Sequence, residues 1–591
     1  MPRRTLIIAV AVALGLAGCS GELPTTPDPR PGLPVSQQSD REVDRFVAAA
    51  EEGDTELEIV QGFLRAAEGF ASDTDVSRTY LTSELASAWV PTSTVSIYEG
   101  ETTLTRTGPG EVTVEVQTVG RLDADGRLTE QSPRTSTHTF ELTEVGGEHR
   151  ISAFPDDASL WLSQLAFERA FRPTTLSYLN TQQDVFVPEL RWLADSEGLP
   201  TSVTRAQLAP LPPHLEGAVR TAAGEGMRLA TPAVPVDPSS LVATVNLQGA
   251  TLAGDGAADE LQSQLAHSLL GLSSVAGVQV QVAGQPLRLE GADGPITGAT
   301  QLPFSDLERE VGQVLLRVGE QLTVVDPSQY ALRDVPESAL GDVDLPAVGL
   351  EWTGVSATGD LDDLAAVSGD GGSFRRWRGE QVHTNEGIGD RLTAPAVDTN
   401  GAFWLGGVHR SSQTPRIWVV DADDLDAVAR PVETDWLADQ ERVHGLSISP
   451  DGSRAAVVLG TVESASGEVS HRLVLSGIVR DGQGRPSGLT EPLQLVPHLD
   501  EVTSARWRSA GELLLVGQRP EDPAPQPFLL PLGGWLESLG ELPGVVDVVP
   551  VPRATGAEAI ARTEDGGIFV PEGQEGWQPV RNGDQVVVPG G

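Results

Sequence analysis

The residue whose type and position most clearly invite chemistry is Cys19, the only cysteine in 591 residues. It directly follows Leu16-Ala17-Gly18, behind Arg3, Arg4 and an apolar run from Leu6 to Leu16. A basic segment, a short apolar segment and small residues before the cut describe a secretory leader, and the run is too short to span a bilayer comfortably. A thiol at that cut is the soft nucleophile an S-alkylation needs, so the predicted chemistry is transfer of a diacylglycerol to the Cys19 sulfur. Removal of residues 1–18 then frees the Cys19 amine for a further fatty acyl chain. Two or more chains anchor a protein stably where one is marginal.

Elsewhere the residue types argue against chemistry. All 40 basic residues are arginine, and without a lysine amine there is no Schiff base, no pyridoxal phosphate linkage and no P-loop. The nine histidines are scattered singly, and neither a G-x-S-x-G elbow nor an H-E-x-x-H helix occurs. With 84 carboxylates, pairs such as Asp362 and Asp363 arise by chance, so a two-carboxylate hydrolase cannot be nominated by counting. His267, off the leucine stripe of its helix, is expected to be solvated or groove-lining and not a ligand. His444 is placed to face a channel but is expected to be structural or solvated. No catalytic, cofactor-binding or metal residue is predicted; the one site is lipidation at Cys19. Its pattern is similar to the lipobox of bacterial lipoproteins.

The formal net charge of −44 repels nucleic acid and gives no electrostatic hold on anionic lipid. That leaves the acyl anchor as the expected membrane contact. With 39% hydrophobic residues, 64 Gly and 43 Pro, the composition is globular and rich in turns. With the one thiol committed to lipid, no disulfide is expected.

The elements follow in order. Residues 19–39 carry Pro24, Pro27, Pro29, Pro31 and Pro34 and almost nothing to bury, so they read as a stalk reaching up to roughly 60 Å at ~3.1 Å per residue. From 40 to 172 an α+β domain of the NTF2-like kind is expected. Ile59, Val60, Phe63, Leu64 and Ala67 stripe one helix, and Leu81, Leu85 and Trp89 a second, capped by Thr82 or Ser83. Val112, Val114 and Val116, a turn at Asp125-Gly126, then Phe140 and Leu142 mark antiparallel strands. Asp123 and Asp125 are a turn signature more than a calcium loop, since the other ligands are missing.

Residues 173–300 predict a small α/β domain. Leu176, Tyr178, Val185 and Val187 suggest a hairpin, and a helix is expected near Leu215 to Arg220. Ala243, Val245 and Leu247 form a strand, Leu261, Leu265 and Leu269 a helix, and Val278, Val280 and Val282 a strand turning at Ala283-Gly284. Residues 301–591 predict a β-propeller. Asp398–Gly401, Ser449–Gly452, Ser509–Gly511 and Thr563–Gly566 are polar turns that each feed an apolar strand at roughly 50 to 60 residue spacing. A sandwich of irregular hairpins competes with this reading, and the blades cannot be counted. Trp377, Trp404, Trp418 and Trp507 are expected in the core between blades.

The segments Val242–Leu247, Glu260–Leu270 and Val278–Leu287 resemble a GerMN domain. Together with the lipobox, Ile59–Ala67, the segment from Tyr80 to Trp89, and Leu160–Gln164 with Phe167–Phe171, they give nearly the whole chain a resemblance to the actinobacterial lipoprotein LpqB family. That resemblance implies a C-terminal β-propeller and a lipid-anchored protein on the extracytoplasmic face of the cell membrane. It also implies a non-enzymatic accessory role towards the extracytoplasmic region of an MtrB-like sensor histidine kinase. Through that kinase it would act on the MtrA response regulator and on envelope and division homeostasis. An envelope glycan or ester hydrolase, or a solute-binding lipoprotein, is the alternative.

Overall fold

The computed structural model describes residues 48–69, 74–155, 158–249, 252, 256–289, 294–307, 313–327, 332–336, 345–462, 469–551, 559–573 and 576–590. The leader, Cys19 and the stalk lie outside them.

Helix α1 (Glu56–Ala67) starts at Thr55, whose hydroxyl accepts from the Glu58 amide at 3.3 Å while the Glu58 carboxylate accepts from the Thr55 amide at 2.8 Å. This reciprocal cap sets the phase that buries Ile59, Val60, Phe63 and Leu64. After α2 (Asp75–Arg78), the second expected helix is only α3 (Ser83–Ala88). Thr82 caps it, Leu81 instead bridges to Ile151, and Trp89 is already extended, two residues ahead of Pro91, which disfavours helix before it.

Strands β1 (Val95–Gly108), β2 (Glu111–Leu122), β3 (Leu128–Val145), β4 (Glu148–Ala153) and β5 (Leu160–Ser163) form one sheet in the order β4-β3-β2-β1-β5. It is antiparallel except that β5 joins β1 in parallel. Register shifts between β1 and β2 bend it, and Phe63, Phe140, Phe154 and Trp161 pack in the concavity under α1. The Asp123–Gly126 segment is a turn, with the Asp123 carboxylate accepting from the amides of Asp125 and Arg127, each at 2.9 Å.

Helix α4 (Gln164–Ala170) runs directly into β6 (Phe171–Asn180), which forms a hairpin with β7 (Phe186–Ala194). The junction expected at 172/173 therefore falls inside a strand. Helix α5 (Leu199–Gln207), with Pro200 in its first turn, has no counterpart in the sequence reading. The helix expected near Leu215 to Arg220 is instead a 3-10 turn at Pro213–Leu215 followed by β8 (Val219–Arg220), because Gly217 at φ +80° breaks the run. Strands β9 (Arg228–Leu229), β10 (Val242–Gln248), β11 (Gly277–Val282) and β12 (Gln285–Pro286) pair in the order β12-β11-β10-β9. β10 and β11 are parallel, joined across α6 (Ala257–Leu270), whose Leu261, Leu265 and Leu269 are buried as the periodicity predicts.

Six more sheets follow, and their first strands touch in succession around a ring. The first sheet holds Val314–Val318, Gln321–Val325 and, from the far end of the chain, Gln585–Val587. The C-terminal strand thus closes the ring, contacting both the second blade at Trp352–Ala357 and the sixth at Ala559–Thr563. Six apolar clusters fill the six seams. Trp377, Trp418, Trp404 and Trp507 each occupy a different seam. The protein is therefore a six-bladed propeller carrying two α/β modules. Three of the four repeat turns join the first and second strands of their blades. Thr563–Gly566 joins the second and third strands of the sixth blade, one strand out of phase.

Candidate functional site

Cys19 lies outside the described residues. Among the described residues no helix is long and apolar enough to cross a membrane, and no group of three His, Cys, Asp or Glu side chains is placed to hold a metal.

The geometry does bring together one set of residue types associated with catalysis. His267 Nδ1 lies 2.7 Å from the Ser177 hydroxyl and its Nε2 3.1 Å from the Asp306 carboxylate, while the ring stacks on Phe186 at 4.0 Å. The imidazole holds Asp306 below the usual carboxylate range by hydrogen bonding. In order this is Ser, His, Asp. Yet Ser177 is fully buried, so its hydroxyl cannot meet a substrate unless α6 lifts off β6. Its neighbours are structural: the Ser177 amide donates to Gln207 and its carbonyl accepts from Gln264, both at 2.9 Å, and Gln264 also takes the Ala222 amide. This polar network pins the β6–β7 hairpin to α5 and α6. Gln264→Leu would leave the buried Ser177 carbonyl and the part-buried Ala222 amide without this partner. It should cost about 1–3 kcal/mol for each group, read from the urea unfolding midpoint.

The hairpin is also where the three modules meet. Trp192 on β7 donates its backbone amide to Gly126 and its indole to Gly533, at 2.8 and 2.9 Å. Asn180 at the end of β6 donates to the Asp451 carbonyl and the Ser453 hydroxyl of the fourth blade, and Thr490 donates to the His214 carbonyl at 2.8 Å. Gly477 lets the two backbones approach; a Cβ there would sit 2.5 Å from Ala218 and 2.7 Å from the His214 carbonyl. Below this contact Glu189 is held at about 2: burial alone would raise it, but His214 and Arg191 outweigh that. On the other side Glu130 of β3 accepts from the Leu536 amide, and Ser132 donates to the His498 carbonyl.

Arginines do the cross-seam work in this lysine-free chain. Arg317 donates to the carbonyls of Trp352, Val348 and Gly349 in the next blade, and Arg376 to those of Asp421, Ala422 and Asp424. Arg454 links the fourth blade to Ala510 of the fifth and to Pro188 of β7. The planar guanidinium fork reaches several carbonyls at once, which an ammonium does less well.

One open feature is the axial mouth of the propeller, a cavity of about 520 Å³ lined by residues from all six blades. Arg317, Arg506 and Arg562 line it, with Asp547 and Asp584. Asp547 accepts from Ser504 at 2.7 Å and lies 3.4 Å from Arg506. Burial would raise this carboxyl, but the Arg506 charge and the Ser504 hydroxyl hold it below its ordinary value. Arg562 makes only a 3.4 Å bond to its neighbour's carbonyl, with no ion pair to any described residue. His444 does reach the mouth, edge-on to His471 at 4.8 Å; desolvation and then the His471 charge pull its pKa down. Beneath, Val355, Ile448, Val549 and Val587 close the axis, leaving about 30 Å³. Sequence reasoning found only His444 of this group.

The architecture defines a class: a germane-type α/β module and an N-terminal α+β module mounted on a propeller that its own C-terminal strand closes. Family models agree segment by segment. The LpqB N-terminal domain matches residues 49–168, the sporulation and spore germination domain 175–288, and the LpqB β-propeller domain 342–589. Lipoprotein LpqB of Thermobifida fusca is 27% identical across 99% of this chain and 98% of its own. That of Cutibacterium acnes is 24% identical across 99% of both. The chain belongs to the LpqB lipoprotein family. Among solved structures it is similar to the tandem GerMN domains of GerM from Bacillus subtilis (18% identity, 23% of this chain, 48% of the other, TM-score 0.19). It is also similar to the propeller domain of the Trilobed protease from Pyrococcus furiosus (13%, 39% and 83%, TM-score 0.25).

Proposed function

We propose that this protein is a lipid-anchored extracytoplasmic lipoprotein that works by contact, as an accessory regulator of an MtrB-like sensor histidine kinase in an MtrAB-type two-component system. The observation that carries the contact mechanism is the contrast between two sites. The Ser177 hydroxyl of the Ser177–His267–Asp306 constellation is buried and spent on packing, whereas the propeller presents an open, arginine-lined mouth. Family membership and the Leu16–Cys19 motif support the anchor. Holding both partners in one membrane raises their effective concentration, so weak contacts suffice.

Two measurements test this. Cys19→Ser should move the protein from the membrane to the soluble extracytoplasmic fraction and remove the acyl mass from its N-terminus; a membrane-bound, unacylated wild type would refute the anchor. Detergent extraction after light crosslinking should retain the kinase on the wild type, and a lipoprotein that never retains it would refute the partner.

A further inference from the structure

We propose that the axial mouth of the propeller is a docking socket for a protruding loop of a membrane-protein partner, a loop whose tip carries a carboxylate flanked by apolar residues. The inference rests on the proposed function in one respect, that the partner is a protein held in the same membrane.

Three independent features of the mouth converge on that occupant. The first is charge. The chain carries 84 acidic residues against 40 basic ones, yet the residues lining this cavity are three arginines to two carboxylates. Beyond about 8 Å the rest of the surface is screened at physiological salt, so an entering group is governed by this local inversion. A metal cation is disfavoured by the same arginines.

The second is unused donor capacity. Arg562 makes no close ion pair with a described carboxylate, its charge reaching Asp547 only at longer range, and Arg506 meets Asp547 at 3.4 Å, long for a charged pair. Arginine nitrogens only donate. The site is therefore short of acceptors, which a carboxylate supplies.

The third is the rim. Leu350, 68% exposed, is among the most exposed large apolar side chains described and lines the mouth. An exposed leucine at the edge of a charged floor favours an apolar-flanked acidic tip over a free anion, which would leave the leucine in water. The closed axis limits how deep the tip goes, and a cavity of this size suits side chains and not a whole element.

A photo-crosslinking residue at Leu350 in the full-length, membrane-anchored protein tests this in the native envelope, with the same residue at Val428, 76% exposed elsewhere, as control. The expected result is a crosslink to an Asp- or Glu-containing loop of a membrane protein's extracytoplasmic region. It should fall at least about tenfold with Arg562→Glu. Leu350→Asp, at an exposed position that carries no folding risk, should weaken kinase co-purification similarly, and an acidic-to-Arg change in the crosslinked loop should restore binding to Arg562→Glu. No crosslink above the Val428 control, a crosslink to a basic segment, or full kinase retention by both variants would overturn the socket; in the last case the kinase reading stands. A crosslink to an acidic loop of some other membrane protein would uphold the socket and remove the kinase.

Discussion

Arg454→Ala should destabilise the protein by about 3–5 kcal/mol, the cost of leaving a buried carboxylate without its cation. The side chains of Arg454 and Asp451 are both fully buried, 3.0 Å apart. Asp451 also accepts from the Ser449 hydroxyl and the Ser453 amide, each at 2.8 Å, so it is held in place whether or not the arginine is there. The guanidinium in turn caps the carbonyls of Pro188 and Ala510 and lies over the Trp507 ring at 5.2 Å. One truncation therefore frees a charge, two carbonyls and an aromatic face where the fourth blade, the fifth blade and β7 meet. Guanidinium chloride unfolding followed by Trp fluorescence measures the loss. Arg454→Met with Asp451→Asn removes both charges, and should recover most of the stability because a desolvated pair repays little beyond its own burial. If the double variant were no better than Arg454→Ala, the lost carbonyl contacts and not the stranded carboxylate would be the cause.

Where local periodicity was enough to decide a local structure, the sequence revealed it. The stripe of Ile59, Val60, Phe63 and Leu64 announces α1, the leucine stripe announces α6, and the valines of β2 and β11 alternate because one face of each is buried. The seam positions of the four tryptophans were legible for the same reason. Failures occurred where tertiary contacts overrode local preference. Val219 and Arg220 look helical after a proline-rich lead, but they are claimed as an edge strand by the end of β6. The turn at Thr563–Gly566 has the same chemistry as Ser449–Gly452, a hydroxyl donating to an Asp carboxylate that also takes a backbone amide, which serves any turn between antiparallel strands. Composition could not say which turn of the blade it was.

The mouth was illegible for a different reason. Arg317, Arg506 and Arg562 belong to three different blades. Nothing in the spacing of these residues marks them, since each blade contributes its lining positions at its own register and the ring exists only after its C-terminal strand pairs with the first blade. The hairpin hub escaped for a related reason. A strand that begins beneath one module and ends against another carries no change of composition at the crossing.

The second large effect is acid sensitivity at the contact between β3 and the propeller. His498 is almost fully buried there, its ring nitrogens make no hydrogen bond, and its Nε2 lies 3.5 Å from the Glu130 carboxylate. Burial, then the positive charge of Arg519, pushes His498 down to about 4 from 6.5; a backbone contact at Glu130 opposes this only weakly. A histidine whose folded pKa is depressed binds its proton more readily in the unfolded chain. Its contribution is thus complete above pH 6.5 and lost as pH falls from 6.5 towards 4, amounting to about 3 kcal/mol at 1.36 kcal/mol per pKa unit. Glu130 runs the other way: burial raises its pKa, despite the Leu536 amide and Arg519, so acidification relieves a cost there. Because Glu130 is present in the wild type and in His498→Gln alike, comparing the two isolates the histidine. Urea unfolding at pH 7.5, 6.0 and 5.0 should show the wild type losing stability relative to His498→Gln across that interval. Because opening the β3 contact alone exposes His498, hydrogen exchange at Ser132 and Leu536 should rise with acid before global unfolding does. Parallel pH profiles for the two proteins would show that His498 is protonated equally well in the folded contact, and that this interface does not sense acid.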